Sequence, residues 1–328
     1  MATPVNDSYS TPSGGVIAGG RSYAPEGYAV TITTPVQRKM HQRNDSNLAN
    51  VAITGTYTGS PTKIEARFNG GAWSEIVASP SGGVYSGTLS NCPTGQGTIE
   101  VRFANAHGIT ANNTHVGVGD IWIVSGQSNN RGQAAAAVQP ANVNSVAVEY
   151  NASGQWVPLV EVGGASVANY LGALASKIDA KGVPVGFVNC SVGSTEAANW
   201  VPGQANYNNM LARANAVGGH VALLWWQGES DTSTVQATFE TRTNNIINGW
   251  FADTGKETFV QKICLAGLPG GAATVRAGQD AVIASNTHIF ASADMNVWTV
   301  SGVHYSTMQE VNDVAAAVWA ALEPVAYP

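Results

Sequence analysis

Apolar and polar positions alternate in two different ways along this 328-residue chain. Between about residues 28 and 118 they alternate one by one in short runs. These are YAVTIT (28–33), NVAITGTYTG (50–59), TKIEARFN (62–69), VYSGTL (84–89) and GTIEVRFAN (97–105), separated by turns such as GSP and SPSGG. A period of two with frequent turns predicts strands that each bury one face, and several in succession predict a β-sandwich over residues 25–118. Residues 1–24, rich in Ser, Gly, Thr and Pro, are expected to form a flexible lead-in.

From residue 119 onward the pattern becomes that of an α/β protein. Near-continuous apolar runs, IWIVSG (121–126), VGFVNC (185–190), VALLWW (221–226), FVQKICLAGL (259–268) and HIFASADM (288–295), predict strands buried on both faces. Between them, residues 165–182 place Val167, Leu171, Leu174 and Ile178 at helical spacing, and residues 236–253 do so with Phe239, Ile246, Ile247 and Trp250. A last helix is expected after Ser306, with Gln309 completing a capping box and Met308, Val311, Val314, Val318 and Leu322 forming its apolar stripe. Buried strands alternating with amphipathic helices predict a parallel sheet over residues 119–328, helices on both faces and ligands at the carboxyl ends of the strands.

Composition narrows the function classes. Fifteen basic and 21 acidic residues leave a net charge of −6, which argues against binding a nucleic-acid backbone. No apolar run is long enough to predict a membrane-spanning helix. Cys92, Cys190 and Cys264 and the six histidines fall at no metal-ligand or redox spacing, so buried free thiols are expected and neither a metal nor a cofactor is. The N-terminus lacks the basic and apolar regions of a signal peptide, and none is expected there. With charges at only 11%, the surface must be built from amides, hydroxyls and glycine, a composition that suits an extracellular or virion-associated protein.

The segments after the predicted strands carry the chemistry. They are Gln127-Ser128-Asn129, then Ser191 to Glu196, then Gln227-Gly228-Glu229-Ser230-Asp231, and late in the chain Ser301-Gly302-Val303-His304-Tyr305-Ser306. A hydroxyl, a glycine-bearing loop, a carboxamide and an imidazole on one rim are the components of acyl transfer. Ser128 is the expected nucleophile and His304 its general base; the N–H groups of Ser128 and Gly193 and the Gln227 side-chain amide are the expected oxyanion donors. Asn130 stands where the G-x-S-x-G elbow of the α/β-hydrolases needs its second glycine, so that arrangement is excluded.

Taken in order, GQSN around Ser128, FVNCSVGSTEAANW (187–200), WWQGES around Gln227 and GVHYS around His304 resemble the four blocks of the SGNH (GDSL-like) hydrolases, in the branch of sialate O-acetylesterases and related carbohydrate acetylesterases. The resemblance covers about residues 118–325 and implies a flavodoxin-like three-layer domain, hydrolysis of acetyl esters on sugars and no metal or cofactor. The family's orienting Asp, three residues before the histidine, is replaced here by Ser301. Three explanations follow: a Ser–His dyad with a backbone carbonyl orienting the imidazole, a carboxylate from Asp294, Glu229 or Asp231 in its place, or a weakened catalytic site. The dyad needs no rearrangement and is the favoured reading. Asn129 and Trp200 are candidates for a substrate wall, while Arg276 and Gln279 are expected behind the site. The alternatives to a carbohydrate acetylesterase are a general short-chain ester hydrolase and a catalytically weakened glycan-binding or virion component.

Overall fold

The computed structural model describes residues 16–17, 21–22, 27–134, 136–139, 147–160, 168–265, 267–268, 270–297 and 303–328. The expected lead-in over residues 1–24 therefore lies mostly outside the described residues, as do Val167 and Ser301. Two compact units divide the chain. One comprises residues up to 39 together with 49–92 and 97–116, and the other 40–48, 93–96 and 117–328.

In the first unit the period-two pattern becomes antiparallel strands. Ala29–Val30, Leu48–Thr58 and Val84–Pro93 form one sheet. Ile64–Phe68 pairs with Ser74–Val77 on one side and Gly95–Phe103 on the other, in a register that sets Ile64 against Phe103 and Phe68 against Ile99. Alternate residues are buried, as single-face burial requires: Val51 and Ile53 in the first sheet, and Ile64, Ala66, Ile99, Val101 and Phe103 in the second. The Tyr57 ring meets the Phe103 ring edge to face at 6.3 Å. The opposite face of the second sheet carries two ion pairs, Arg67–Glu100 at 2.6 Å and Arg102–Glu65 at 2.7 Å.

The second unit is built on a mostly parallel sheet. In spatial order its strands are Trp156–Pro158, Ala147–Tyr150, Val185–Asn189, Ala106–Gly126, Leu223–Trp226, Thr258–Lys262 and Ile289–Asp294. Only Trp156–Pro158 runs antiparallel to its neighbour. Without the edge pair contributed by residues 147–158, the five remaining strands follow the order 2-1-3-4-5 along the chain, which is the flavodoxin-like order. The five expected strands are present, although the run written FVQKICLAGL stops being strand at Lys262.

The helices fall into two groups. Leu171–Asp179 packs on Met308–Ala326, while Gln236–Thr254 packs on both Ala205–Val217 and Ala272–Ser285. Right-handed crossovers place the connections on opposite faces when the chain changes direction across the sheet, and here it does so at Ala106–Gly126. Apolar side chains from both groups and from the strands merge into one core that fully buries Trp122, Trp200, Trp225 and Trp250.

The helix Ala205–Val217 and the strands Ala147–Tyr150 and Trp156–Pro158 are additional to the sequence expectation. The helix has a legible signal, since Tyr207, Met210, Ala214 and Val217 are its buried residues at spacings of three and four. The last helix corrects the expectation by one residue: Thr307, not Ser306, is the N-cap, with Glu310 completing the capping box. Met308 is consequently 56% exposed, whereas Val311, Val314, Val318 and Leu322 are buried as the stripe requires. No helix among the described residues is long and apolar enough to cross a membrane. Cys92, Cys190 and Cys264 are buried and not in disulfides.

Candidate active site

Strand order brings the first three sequence blocks together. Ala106–Gly126 lies between Val185–Asn189 and Leu223–Trp226, so the segments that follow these three strands leave the sheet side by side. The parallel register pairs Gly126 with Trp226, and the Gln127 N–H donates to the Trp226 carbonyl at 3.0 Å. Gly126 is the one residue type that allows this contact. Its φ is +116°, and a Cβ there would lie 2.0 Å from the Trp226 oxygen.

The chain then turns into the short helix Ser128–Arg131, with Ser128 as its first residue. Four successive residues, Gln127 to Asn130, are buried. Asn130 anchors the turn: its Nδ2 donates to the Ser125 carbonyl at 2.7 Å and to the Leu224 carbonyl at 3.2 Å, and its Oδ1 accepts from the Tyr170 hydroxyl at 2.9 Å. The Asn130 carbonyl in turn accepts from Asn189 Nδ2 at 2.7 Å. Apart from Ser125, five residues back, these partners come from other segments, so little in the local text around Asn130 marks its role.

His304 reaches the same point from the far side of the sheet. The strand before it, Ile289–Asp294, is at the edge, three places from Ala106–Gly126. Its loop is nevertheless fastened to the nucleophile turn: Asn129 Nδ2 donates to the Val303 carbonyl at 3.1 Å, and the Tyr305 hydroxyl donates to the Asn129 carbonyl at 2.9 Å. With both neighbours held, His304 Nε2 lies 2.8 Å from Ser128 Oγ. Partial burial depresses the imidazole pKa, favouring the neutral ring that can accept a proton.

None of the three carboxylates considered as orienting groups touches His304 among the described residues. Asp294 pairs with Arg276 at 2.7 Å and Lys262 at 3.2 Å; burial works against its charge, but these cations hold its pKa at about 2. Asp231 accepts from the Ala197 N–H at 3.0 Å and from Gln227 Nε2 at 2.8 Å, and burial raises its pKa. Glu229 accepts from Asn129 Nδ2 at 2.6 Å, and full burial pushes its pKa up to about 7. Glu229 therefore touches the residue that braces the histidine loop and not the histidine itself.

Gln227 departs from its expected role. Its Nε2 has two hydrogens and already three acceptors, the Thr195 carbonyl at 2.6 Å, Asp231 Oδ2 at 2.8 Å and Gln127 Oε1 at 3.1 Å. The side chain ties three segments together and presents no free donor. Gln279 supports it from behind, donating to the Gln227 carbonyl at 3.1 Å, and Arg276 donates to the Ile263 carbonyl.

The two proposed wall residues are corrected as well. Trp200 is fully buried, edge-on to Trp225 at 5.5 Å, with its Nε1 donating to Thr195 Oγ1 at 2.9 Å, so no face is left for a sugar. Asn129 is 2% exposed and its amide nitrogen donates to Glu229 and to the Val303 carbonyl.

Gly193, by contrast, adjoins the nucleophile directly. A Cβ built on it would lie 3.9 Å from the Ser128 Cβ and 3.3 Å from Arg131 Nη1. Its N–H donates to nothing among the described residues. The Ser128 N–H, at the first position of a helix, likewise has no intrahelical acceptor. Arg131, which the sequence reading passed over, stands exposed beside this pair. Among the described residues no group of three or more His, Cys, Asp or Glu side chains is arranged to hold a metal ion.

Comparison with known proteins agrees with this architecture. A carbohydrate acetylesterase from Xanthomonas citri has a similar fold, with a TM-score of 0.60 at 17% identity over 92% of this chain and 75% of that one. A protein from Arabidopsis thaliana gives 0.52 at 19% identity over 62% of this chain and 98% of that one. At such identities the likeness is one of fold. No curated protein matches the chain in sequence. The family model described as carbohydrate esterase, sialic acid-specific acetylesterase does match, over residues 118–314. That segment is more than half of the chain and contains all four blocks, from Ser128 to His304; the chain belongs to this acetylesterase family and is a carboxylic ester hydrolase.

Proposed function

We propose that the protein hydrolyses acetyl esters on carbohydrates with Ser128 as nucleophile and His304 as general base, the pair working as a dyad. The observation that carries this reading is the 2.8 Å separation of Ser128 Oγ and His304 Nε2. In the first half-reaction Ser128 Oγ bonds to the acetyl carbonyl carbon while its proton passes to Nε2. The carbonyl electrons move onto oxygen, where the N–H groups of Ser128 and Gly193 receive the charge. As the tetrahedral intermediate collapses, the C–O bond to the sugar breaks and the Nε2 proton goes to the departing sugar oxygen. Water then repeats the sequence on the acetyl-serine: His304 takes its proton, acetate leaves, and Ser128 recovers its hydrogen.

The dyad is supported by the absence of any carboxylate contact to His304 among the described residues and by an imidazole pKa that burial alone moves. Two backbone donors remain for the oxyanion, because the Gln227 amide is occupied. The strands of the first unit, whose inner faces carry Tyr57 and Phe103, are read as a β-sandwich accessory domain over about residues 25–118. Acetate release from acetylated sugars, measured by titration, is expected to fall by roughly 10⁴-fold or more in Ser128→Ala with the fold intact. Undiminished acetate release from that variant would remove the reading.

A further inference from the structure

This inference rests on the ester hydrolysis proposed above and concerns what the site reads in the alcohol half of the ester. The loop that brings Gly193 to the nucleophile is a tight turn over residues 192–195, held at both feet. On one foot the Val192 N–H donates to the Gly126 carbonyl at 2.9 Å. On the other the Thr195 carbonyl accepts from Gln227 Nε2 at 2.6 Å. Thr195 Oγ1 donates to the Val192 carbonyl at 2.8 Å and accepts from Trp200 Nε1 at 2.9 Å. Gly193 and Ser194 are left at the tip.

Ser194 is held there at φ +61°, in the left-handed region. A Cβ disfavours that conformation; glycine lacks one, and asparagine offsets the strain with short local hydrogen bonds. Among the described residues of the second unit, one other non-glycine residue has a positive φ. It is Asn47, and its side chain accepts from Arg43. Ser194 has no such contact: it is exposed, and its hydroxyl has no hydrogen bond among the described residues. Glycine would satisfy the turn without strain, so the backbone does not explain the serine. Strain that the surrounding structure enforces and no internal contact offsets marks a functional position.

That position adjoins the reacting atoms. A Cβ on Gly193 would lie 3.9 Å from the Ser128 Cβ, and consecutive Cα atoms are about 3.8 Å apart, which sets the Ser194 Cα within about 9 Å of the Ser128 Cβ. A serine hydroxyl both donates and accepts, as do the free hydroxyls of a sugar. We propose that Ser194 is a specificity-determining residue whose hydroxyl hydrogen-bonds a free hydroxyl of the alcohol being released. The site then favours acetyl esters of polyhydroxylated alcohols over those of simple ones.

Methyl 3-O-acetyl-β-glucopyranoside and cyclohexyl acetate both carry the ester on a secondary carbon of a six-membered ring, and only the first has hydroxyls on either side of it. The ratio of their kcat/KM values is expected to fall by roughly twofold to tenfold in Ser194→Ala, the range of one neutral hydrogen bond. Ser194→Gly loses the same hydroxyl and relieves the backbone. The same fall is expected there, with a melting temperature no lower than that of the unaltered protein. An unchanged ratio would overturn the proposal, as would equal losses on both esters. A ratio that falls in Ser194→Ala and is restored in Ser194→Gly would also overturn it, by assigning the effect to the backbone. If the unaltered protein cleaved neither ester, the proposed activity would fail while the Ser194 contact stayed measurable. It would be read by calorimetry as the Kd of the sugar ester, expected to rise by the same factor in Ser194→Ala; an equal Kd would overturn it.

Discussion

Serine and histidine arrive within 2.8 Å of each other on two differently built supports. The nucleophile turn is a continuation of a central strand, buried over four residues and pinned by neutral side-chain amides, with the Asn130 side chain alone holding groups from its own strand and from two other segments. His304 follows an edge strand in the chain; the residues on either side of it are tethered to Asn129, through the Val303 carbonyl and the Tyr305 hydroxyl, and a capped helix begins shortly after. A turn at the centre of a sheet has fixed neighbours to bond to, and amides fill that role without the desolvation penalty of charge. The described residues around His304 are positioned instead by the turn they meet and by the helix that follows.

If the rigid turn is what organises the site, Asn130→Ala should have the largest effect. It leaves two carbonyls and a tyrosine hydroxyl without their partner, and a loss of about 3 kcal/mol in unfolding free energy is expected. A drop in kcat of about 10²-fold should accompany it, since small misplacements of a nucleophile carry that penalty. Denaturant titration together with esterase assay checks both; stability lost with kcat retained would break the comparison.

Glu229→Gln probes the link between the two supports. The folded protein keeps the Glu229 proton up to about pH 7, whereas an unperturbed glutamate releases it near 4.5. The folded state therefore binds more protons in that window, and stability falls as pH rises through it, by on the order of 3 kcal/mol in full. Glutamine does not titrate, so the stability of the variant relative to the unaltered protein should grow from pH 4.5 to pH 7.5. A difference that is flat with pH would mean that the carboxyl titrates normally.

Thr307→Ala acts on the histidine side alone. Removing the N-cap acceptor should lower stability by about 1 kcal/mol, with a several-fold loss of activity at most, because Tyr305 and Asn129 still hold the loop. An activity loss as large as that of Asn130→Ala would show that the helix start, and not the tether, sets the imidazole. The smallest effect is expected in the pH profile, where the acidic limb of kcat/KM should lie below the ordinary imidazole value of 6.5 because burial lowers the His304 pKa. A limb above that value would point to a carboxylate beside the ring.

The text of the chain made some of this legible and concealed the rest for definable reasons. Buried strands and helix stripes such as Val311, Val314 and Val318 are written in periodicity, and Ser128, Gly193 and His304 stand in recognisable blocks. Motif position points to Gln227 as an oxyanion donor and to Trp200 and Asn129 as a substrate wall, yet each side chain is buried and committed to a partner 4 to 174 residues away. The one-residue shift of the last cap arises because Ser306 and Thr307 are both competent and only the helix geometry chooses between Gln309 and Glu310.

By itself, the sequence determined the α/β character of residues 119–328, the strand ends where chemistry gathers and the residue types able to perform it, because periodicity and motif order are local properties. Tertiary structure alone decided that strand order sets three of the blocks side by side, and that Asn130 and Asn129 hold the serine and histidine in reach. Hydrogen-bond acceptors, burial and free charge are properties of what packs against a residue, and those neighbours come from segments that the chain keeps far apart.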